Sequence, residues 1–482
     1  MKLYLINPYF GQGEDIRTEG ATHSQPLGLG FLATYVRDHS PTEVEIIDPV
    51  PQGLTEEEVL NKLKDSQIVG LSCFADTRFY CFEFAKKVKK KYPHILLVVG
   101  GAFTYELDKI ILKKFPHVDI LVRGEGEETL LDIVNDKPRS KILGITYRQG
   151  RRVVRNGLRP FAKNIDKYYI DYSLFPPLDK YEKDLEAPAE YRKLKTISTI
   201  SSRGCPFQCT YCANSHWQRL WRATSPQELV NRIKGWVTDF NVEYIRFYDD
   251  LFTANKKWVL EFCRILKQTN LNIKFRVLVR AGTDIDVLKA LKDVGCVAVG
   301  FGIESGSDKM LKRINKMITR EQIINTIKLC HKLELWVVGA FIVSLPEETI
   351  EDYNQSLSLI PLLDTFQTNI QIVFPYTPFY LELKKNKEID DSIWFQKRHE
   401  GRLLYTKENF KSANFSEKEL NWLALYTQYY HFLRRPDKVF EKYGPLPGAI
   451  MLIIAIIDTP LKGKLFNFIF KFRNLWRKII YK

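Results

Sequence analysis

Three cysteines with C-x3-C-x2-C spacing, Cys205, Cys209 and Cys212, lie in the stretch Arg203-Gly204-Cys205-Pro206-Phe207-Gln208-Cys209-Thr210-Tyr211-Cys212. Thiolates this close in sequence can wrap one face of a soft metal centre. A closed structural zinc site needs a fourth cysteine or histidine, and His216, four residues on, is the residue available for it. Against zinc, no second C-x2-C or H-x3-H pair occurs elsewhere in the chain. Three thiolates on a loop leave one iron of a [4Fe–4S] cluster without a protein ligand, and a cluster that binds a substrate needs an open iron. The spacing favours the cluster, with zinc as the alternative. The other five cysteines, Cys73, Cys81, Cys263, Cys296 and Cys330, fall in strand or helix patterns and read as small hydrophobic residues.

Downstream, polar residues interrupt otherwise apolar strands at their ends. Asp249 and Asp250 close the run Tyr244 to Tyr248, where two carboxylates can accept from a cation. The plainer reading is a pair that caps the next helix. Arg280 ends the strand Ile273 to Val279, where it reads by itself as a solvated strand-end arginine. Glu304 ends the apolar strand Cys296 to Ile303, and packing alone does not account for it.

The elements that must position these groups alternate. In the first 150 residues, five aliphatic strand patterns (KLYLINPYF, VEIIDPV, IVGLSCF, HILLVVGG and DILVRGEGE) are separated by helical stretches of helix-forming length. Leu27–Arg37, the Thr55-capped TEEEVLNKLKDS and Phe79–Lys91 are three of these. This alternation predicts a doubly wound parallel sheet with ligands beyond the carboxyl ends of its strands. Residues 151–190, with Pro160, Pro176, Pro177 and Pro188, read as a linker. A second series over 191–405 has six strands, TISTISS, YIRFYD, IKFRVLVR, CVAVGFGIES, LWVVGAFIVSL and FQTNIQIVFP. Six units are too few for a closed eight-fold barrel, so a partial parallel barrel is expected. Residues 406–482 read as a helical region with a basic aromatic tail. The fold class is thus α/β, with a mostly helical C-terminal region.

Composition sets the outer limits. The 482 residues are 45% hydrophobic and 27% charged, which excludes a disordered or collagen-like chain. Eight cysteines are too few for a secreted disulfide scaffold, and no signal peptide is evident, so a reducing cytoplasm is expected. The net charge is +15. Leu461–Lys482 holds seven Lys/Arg and no Asp or Glu, interleaved with Phe466, Phe468, Phe470, Phe472, Trp476 and Tyr481, after the apolar run Ala449–Ile457. Nine apolar residues are too short to span a bilayer, so the tail reads as a surface-lying membrane contact or as a helix docked on its own domain. The charge excess before the tail is dispersed and follows no RNA-binding module, which leaves a non-enzymatic Fe–S or zinc RNA-binding protein as a minor alternative.

The cysteine loop, with Tyr211 before its last cysteine, resembles that of the radical S-adenosylmethionine superfamily. The resemblance implies a [4Fe–4S] cluster on Cys205, Cys209 and Cys212. Its open iron chelates S-adenosylmethionine, and its electron cleaves the sulfonium to a 5′-deoxyadenosyl radical. Phe247-Tyr248-Asp249-Asp250-Leu251-Phe252 resembles the family's "DD-x-F" segment, which implies that Asp249 or Asp250 holds the methionine ammonium and Arg280 the carboxylate. Gly302-Ile303-Glu304-Ser305-Gly306 resembles its "GIESG" strand end, so Glu304 and Ser305 would face ribose or methionine. Gly339 to Thr349, with Phe341, resembles "G-x-FI-x-G-x-P-G-ET", the adenine turn, but Ser344 and Glu347 stand where glycines are usual. The turn Phe374-Pro375-Tyr376-Thr377-Pro378 likewise has Tyr376 where the related turn has glycine.

The first 150 residues resemble the flavodoxin-type cobalamin-binding domain fused to one branch of that superfamily, through Pro26–Leu32, Gly100-Gly101 and Arg123–Thr129. The implied cobalamin contacts are Ser72, Gly100, Gly101, Thr104, Gly124 and Glu125. No D-x-H-x-x-G motif occurs, which fits members that bind cobalamin without a protein histidine and equally a domain that has lost the cofactor. The branch includes tetrapyrrole cyclases and hopanoid, antibiotic and phosphinate methylases. The implied function is cobalamin-dependent methylation of an unactivated carbon in a lipophilic or secondary-metabolite substrate, served by a reductant such as flavodoxin or ferredoxin. Radical cyclisation or rearrangement without methyl transfer is the alternative. No residue is singled out as directly catalytic.

Overall fold

The computed structural model describes residues 1–9, 24–181, 184–214, 219–395 and 412–460. The tail Leu461–Lys482 and His216 lie outside the described residues. The chain divides into two compact units, Met1–Glu182 with Arg222–Thr224, and Lys183–Trp221 with Ser225–Lys482.

In the first unit, a sheet of seven strands has its most buried aliphatic runs at the centre: β1 (Lys2–Ile6), β2 (Glu43–Ile47), β3 (Ile68–Ser72), β4 (Leu96–Gly100), β5 (Ile120–Val122), β6 (Ile145–Gln149) and β7 (Arg152–Arg155). The spatial order is β2-β1-β3-β4-β5-β6-β7. The first five strands are parallel in flavodoxin order, and β6 and β7 add an antiparallel hairpin at one edge. The Thr55 cap is a full capping box with Glu58.

The segment read as a linker belongs to this unit up to Glu182, and its last residues to the second. Ile165, Tyr168, Ile170, Tyr172, Phe175 and Tyr181 are buried. Phe175 and Ile170 sit so close to Gly30, on helix Leu27–His39, that a Cβ there would lie 2.7 Å from the Phe175 ring. Arg37 pairs with Asp171, and Arg159 with Asp132 and Glu128. Prolines break the periodicity of this segment, but its aromatic residues supply the apolar surface that covers the helix.

The second unit holds the six expected strands: β8 (Thr196–Thr199), β9 (Tyr244–Phe247), β10 (Lys274–Val279), β11 (Cys296–Glu304), β12 (Trp336–Val343) and β13 (Thr365–Ile370). They form one all-parallel sheet, ordered β13-β12-β11-β10-β9-β8. Alternate residues face the helices. Phe247 and Phe275 pack with Phe252 and Phe262 of the intervening segments. The opposite face is concave: Glu186 is bonded both by Arg276 of β10 and by Gln367 of β13, three strands apart. Helices Glu417–Arg434, Pro436–Tyr443 and Pro445–Asp458 follow, packed around Tyr429, Phe432, Val439, Ile454 and Ala455. The apolar run Ala449–Ile457 lies in the last of these helices. Among the described residues no helix is long and apolar enough to cross a membrane.

Candidate functional site

The cysteine loop follows β8 and is pinned on several sides. Gly204 takes a φ of +84°, and a Cβ there would lie 2.0 Å from the Leu220 carbonyl oxygen, so only glycine fits directly before Cys205. The Thr210 N–H donates to Ile314 O and its carbonyl accepts from the Phe379 N–H, each at 3.0 Å, and Asn315 Nδ2 donates to Gln208 O at 2.9 Å. The three cysteines form no disulfide and are partly buried. Burial pushes the Cys212 thiol up to about 11, reinforced by Cys209, Asp250 and Cys205. Burial also raises Cys205, which feels Asp250 and Cys209 and, with the opposite sign, Arg280. Among the described residues no three His, Cys, Asp or Glu side chains converge on a single-ion site.

The two adjacent aspartates part ways. Asp249 is fully buried and accepts from Ser201 N at 3.1 Å, from Ser201 Oγ at 2.7 Å and from Ser202 Oγ. It ties the end of β9 to the chain leading into the cysteine loop, and burial raises its carboxyl to about 6. Asp250 is exposed and takes hydrogen bonds from the Asn214 side chain and the Gly204 N–H; crowding by protein raises its carboxyl too.

Arg280 stacks its guanidinium 3.7 Å from the centre of the Phe207 ring and donates to Lys316 O. Lys316 carries no sequence signal. It sits in a turn between the left-handed residues Asn315 and Met317, yet it is buried. Its Nζ lies 3.0 Å from Glu304 Oε1 and 3.3 Å from Tyr211 OH. Tyr211 also bonds Glu304, and burial with that carboxylate holds its phenol well above the ordinary value. A bulge against β12 and a φ of +65° at Glu304 turn its carboxylate toward this pair, and a Cβ on Gly302 would meet Glu304 Oε1 at 2.5 Å. Tyr211, Asp250, Arg280 and Glu304 thus gather around the cysteine loop. Ser305 is turned inward, against Ser356 Oγ at 3.2 Å and the Ser307 N–H, and Phe341 is buried in β12 in register with Glu304.

The two turns that depart from the family pattern are left-handed at the positions where glycine is usual. Ser344, Glu347 and Tyr376 have φ of +72°, +66° and +58°, the left-handed region that glycine enters freely. Glu348, buried beneath the first turn, accepts from the N–H groups of Ser344 (2.7 Å) and Leu345 (3.2 Å). Burial raises its carboxyl to about 8.

Deeper in the concave face lies a polar layer that sequence reading passed over. Arg276 pairs with Asp184 at 2.9 Å and with Glu186, and Tyr244 OH donates to Asp184 at 3.2 Å. Arg246 stands beside Arg276 and Ser198 in register. Arginines inside a short aliphatic strand leave no signal of which face they take.

In the first unit, Ser72 and Gly100 end β3 and β4 side by side. Gly101, with φ of +122°, is required by its own neighbours, since a Cβ would lie 2.4 Å from Cys73 O. Thr104 is buried and bonds Gly101 O and Val122 O. Glu125 is held by Arg222 at 2.9 Å and the Ala162 N–H at 3.1 Å. Thr104 and Glu125 therefore spend the cited bonds within the fold, while Gly124, at φ of +80°, has open space around it apart from Phe161 at 4.0 Å.

Comparison with known families matches residues 199–360 to the radical SAM superfamily and residues 14–134 to the B12 binding domain. An uncharacterised methyltransferase of Pyrococcus horikoshii is 31% identical over 384 residues, covering 78% of this chain and 81% of that protein. The anaerobic magnesium-protoporphyrin IX monomethyl ester cyclase of Cereibacter sphaeroides is 24% identical over 439 residues, covering 87% and 68%. Among solved structures, the cobalamin-dependent S-adenosylmethionine radical enzyme OxsB, with aqua-cobalamin and S-adenosylmethionine bound, aligns with a TM-score of 0.68 at 17% identity, over 94% of this chain and 70% of that one. The radical S-adenosylmethionine methyltransferase TsrM of Kitasatospora setae aligns with a TM-score of 0.65 at 17% identity, over 80% and 76%.

Proposed function

Because this chain belongs to the radical SAM superfamily, in the branch that carries a B12 binding domain, we propose that it is a cobalamin-dependent radical methyltransferase acting on an unactivated carbon of a small molecule. The supporting observation is the convergence of Asp250, Arg280 and the Glu304–Lys316–Tyr211 group on the loop that carries three neighbouring thiols. When bound, the cluster supplies the electron that cleaves S-adenosylmethionine, and the corrinoid supplies the methyl carrier.

The chain's own residues divide the remaining work. Cys205, Cys209 and Cys212 ligate the cluster. Asp250 accepts from the methionine ammonium, and Arg280, already fixed by Phe207, offers its fork to the carboxylate. Glu304 meets the ribose or methionine part, held in place by its pair with Lys316, and Phe341 backs the adenine turn. Asp249 and Ser305 are positioning residues, since their bonds run to Ser201, Ser202 and Ser356. On the first unit, Ser72, Gly100 and Gly124 at the strand ends take the corrinoid. Gly101, Thr104 and Glu125 shape the turns beside it.

The test is an absorption spectrum with iron and corrinoid quantitation on protein made anaerobically in cobalamin-supplied cells, against Cys205→Ala/Cys209→Ala/Cys212→Ala. Near-stoichiometric corrinoid with about four irons, the iron lost in the variant, supports the reading; zinc in place of iron overturns it. The 24% identity to the cyclase over most of the chain favours one second reading, oxidative cyclisation, which cluster without corrinoid would support. A flavodoxin- or ferredoxin-like reductant completes the cycle.

We further propose a peripheral contact with anionic membrane. Leu446, Ile453, Ile456 and Ile457 of helix Pro445–Asp458 are exposed, and the basic aromatic sequence Leu461–Lys482 follows them. Truncation after Gly444 should abolish sedimentation with phosphatidylglycerol vesicles; unchanged sedimentation refutes the contact.

A further inference from the structure

In the polar layer of the second unit two arginines meet two carboxylates, but both carboxylates pair with the same arginine. Arg246 is 1% exposed. Its Nε and Nη2 share one acceptor, Ser198 Oγ, at 3.2 and 3.0 Å, and its Nη1 has no hydrogen-bond partner. The ring of Tyr248 lies 5.2 Å from the guanidinium carbon. The two carboxylates of the layer, Asp184 and Glu186, are both engaged by the neighbouring Arg276. A guanidinium cannot lose its proton, so a buried one facing a hydroxyl and an aromatic ring carries an uncompensated desolvation cost. Where a fold keeps such a group, an anion from outside is the partner that repays it.

Its placement says where that anion comes from. Phe247 faces the helices, so Arg246, one residue earlier, faces the concave side of the sheet. Tyr248 and Asp250 follow on the same side, climbing toward the cysteine loop. The residues in the layer above, Tyr248 and Leu278, are only partly buried, and across the concavity Gly302 and Ala340 keep side-chain volume small while Gln367 and Asn369 of β13 are exposed. A ligand entering from the carboxyl ends of the strands therefore meets Tyr248 first and the guanidinium beneath it.

We propose that Arg246 is an anion-binding residue of the barrel floor, taking a carboxylate or phosphoryl oxygen of the substrate, so that the substrate class is a small molecule with one anionic end. This rests on the functional reading only in that the concave face receives a ligand. The anion binds bidentately through Nη1 and one further N–H, and the Tyr248 ring yields to it.

The experiment compares the full chain with Arg246→Met and Arg246→Lys, following unfolding midpoints while inorganic phosphate or acetate is titrated. The expected result is an Arg246→Met protein at least as stable as the parent without added anion, with an affinity for phosphate or acetate weakened about tenfold or more and partly restored by lysine. A lowered midpoint with an unchanged anion response overturns the proposal, because Arg246 would then be structural. S-adenosylmethionine binding to the reconstituted proteins separates the two sources of a carboxylate. Unchanged affinity supports a substrate anion, and a loss as large as that for phosphate assigns the site to the methionine carboxylate and overturns the substrate class. Iron and corrinoid contents should not change, which keeps this test separate from that of the methyltransferase reading.

Discussion

Glu347 offers a measurement of what the adenine-turn backbone costs this chain. Its φ of +66° places an L-residue in the left-handed region, which costs about 1–2 kcal/mol, and glycine returns roughly 0.5–1 kcal/mol through its freer unfolded state. Replacing Glu347 also removes its pair with Arg313 at 3.0 Å. That pair is exposed and worth ~0.5 kcal/mol or less, and Arg313 keeps Glu382 at 2.6 Å. Glu347→Gly should therefore be slightly more stable than the parent, by about 0.5 kcal/mol, whereas Glu347→Ala loses the pair and keeps the backbone penalty. The difference between the two variants, about 1 kcal/mol in favour of glycine, isolates the backbone, because both lack the side chain. Urea unfolding followed by tryptophan fluorescence is the assay: every tryptophan among the described residues, from Trp221 to Trp422, lies in the second unit. Equal midpoints for the two variants, or a more stable alanine, would refute the reasoning.

Two further predictions concern buried charge. Glu348, at about 8 against an ordinary 4.5, binds a proton more tightly folded than unfolded. Its contribution is thus present below about pH 4.5 and is lost as pH rises toward 8. Glu348→Gln, whose carbonyl can still accept from Ser344 and Leu345, should flatten the stability profile between pH 5 and 8; a slope identical to the parent's would exclude Glu348 as its source. Lys316→Met leaves the Glu304 carboxylate buried with Tyr211 alone and should cost on the order of 3 kcal/mol, with Lys316→Met/Glu304→Gln recovering more than half. Purely additive losses in urea would show that the two do not act as a pair.

How much of this was legible depended on which physical signal carried it. Long aliphatic runs between capped helices marked eleven strands, because a parallel strand covered on both faces has no polar alternation to obscure it. The hairpin Ile145–Arg155 escaped, since Tyr147, Arg148 and Arg152 alternate as an edge strand does, at a point where turn residues suggested a boundary. The cysteine motif was readable because its spacing puts three thiolates on one loop, which favours a cluster over zinc. The roles of Asp249 and Asp250 were not, because adjacent residues at a strand end point opposite ways and only the fold says which one is spent on Ser201 and Ser202. Lys316 and Arg246 left no trace for the same reason: their burial comes from distant segments.

The aromatic strap over helix Leu27–His39 changes what can be exchanged as one piece. A fragment cut at residue 150 would bare the surface beneath Phe175 and Ile170 and leave Arg37 without Asp171. The module that stays intact is therefore Met1–Glu182 together with Arg222–Thr224, strap included. Chimeras that move this B12 binding domain between relatives should carry both the strap and Arg222, whose pair with Glu125 lies within the same unit.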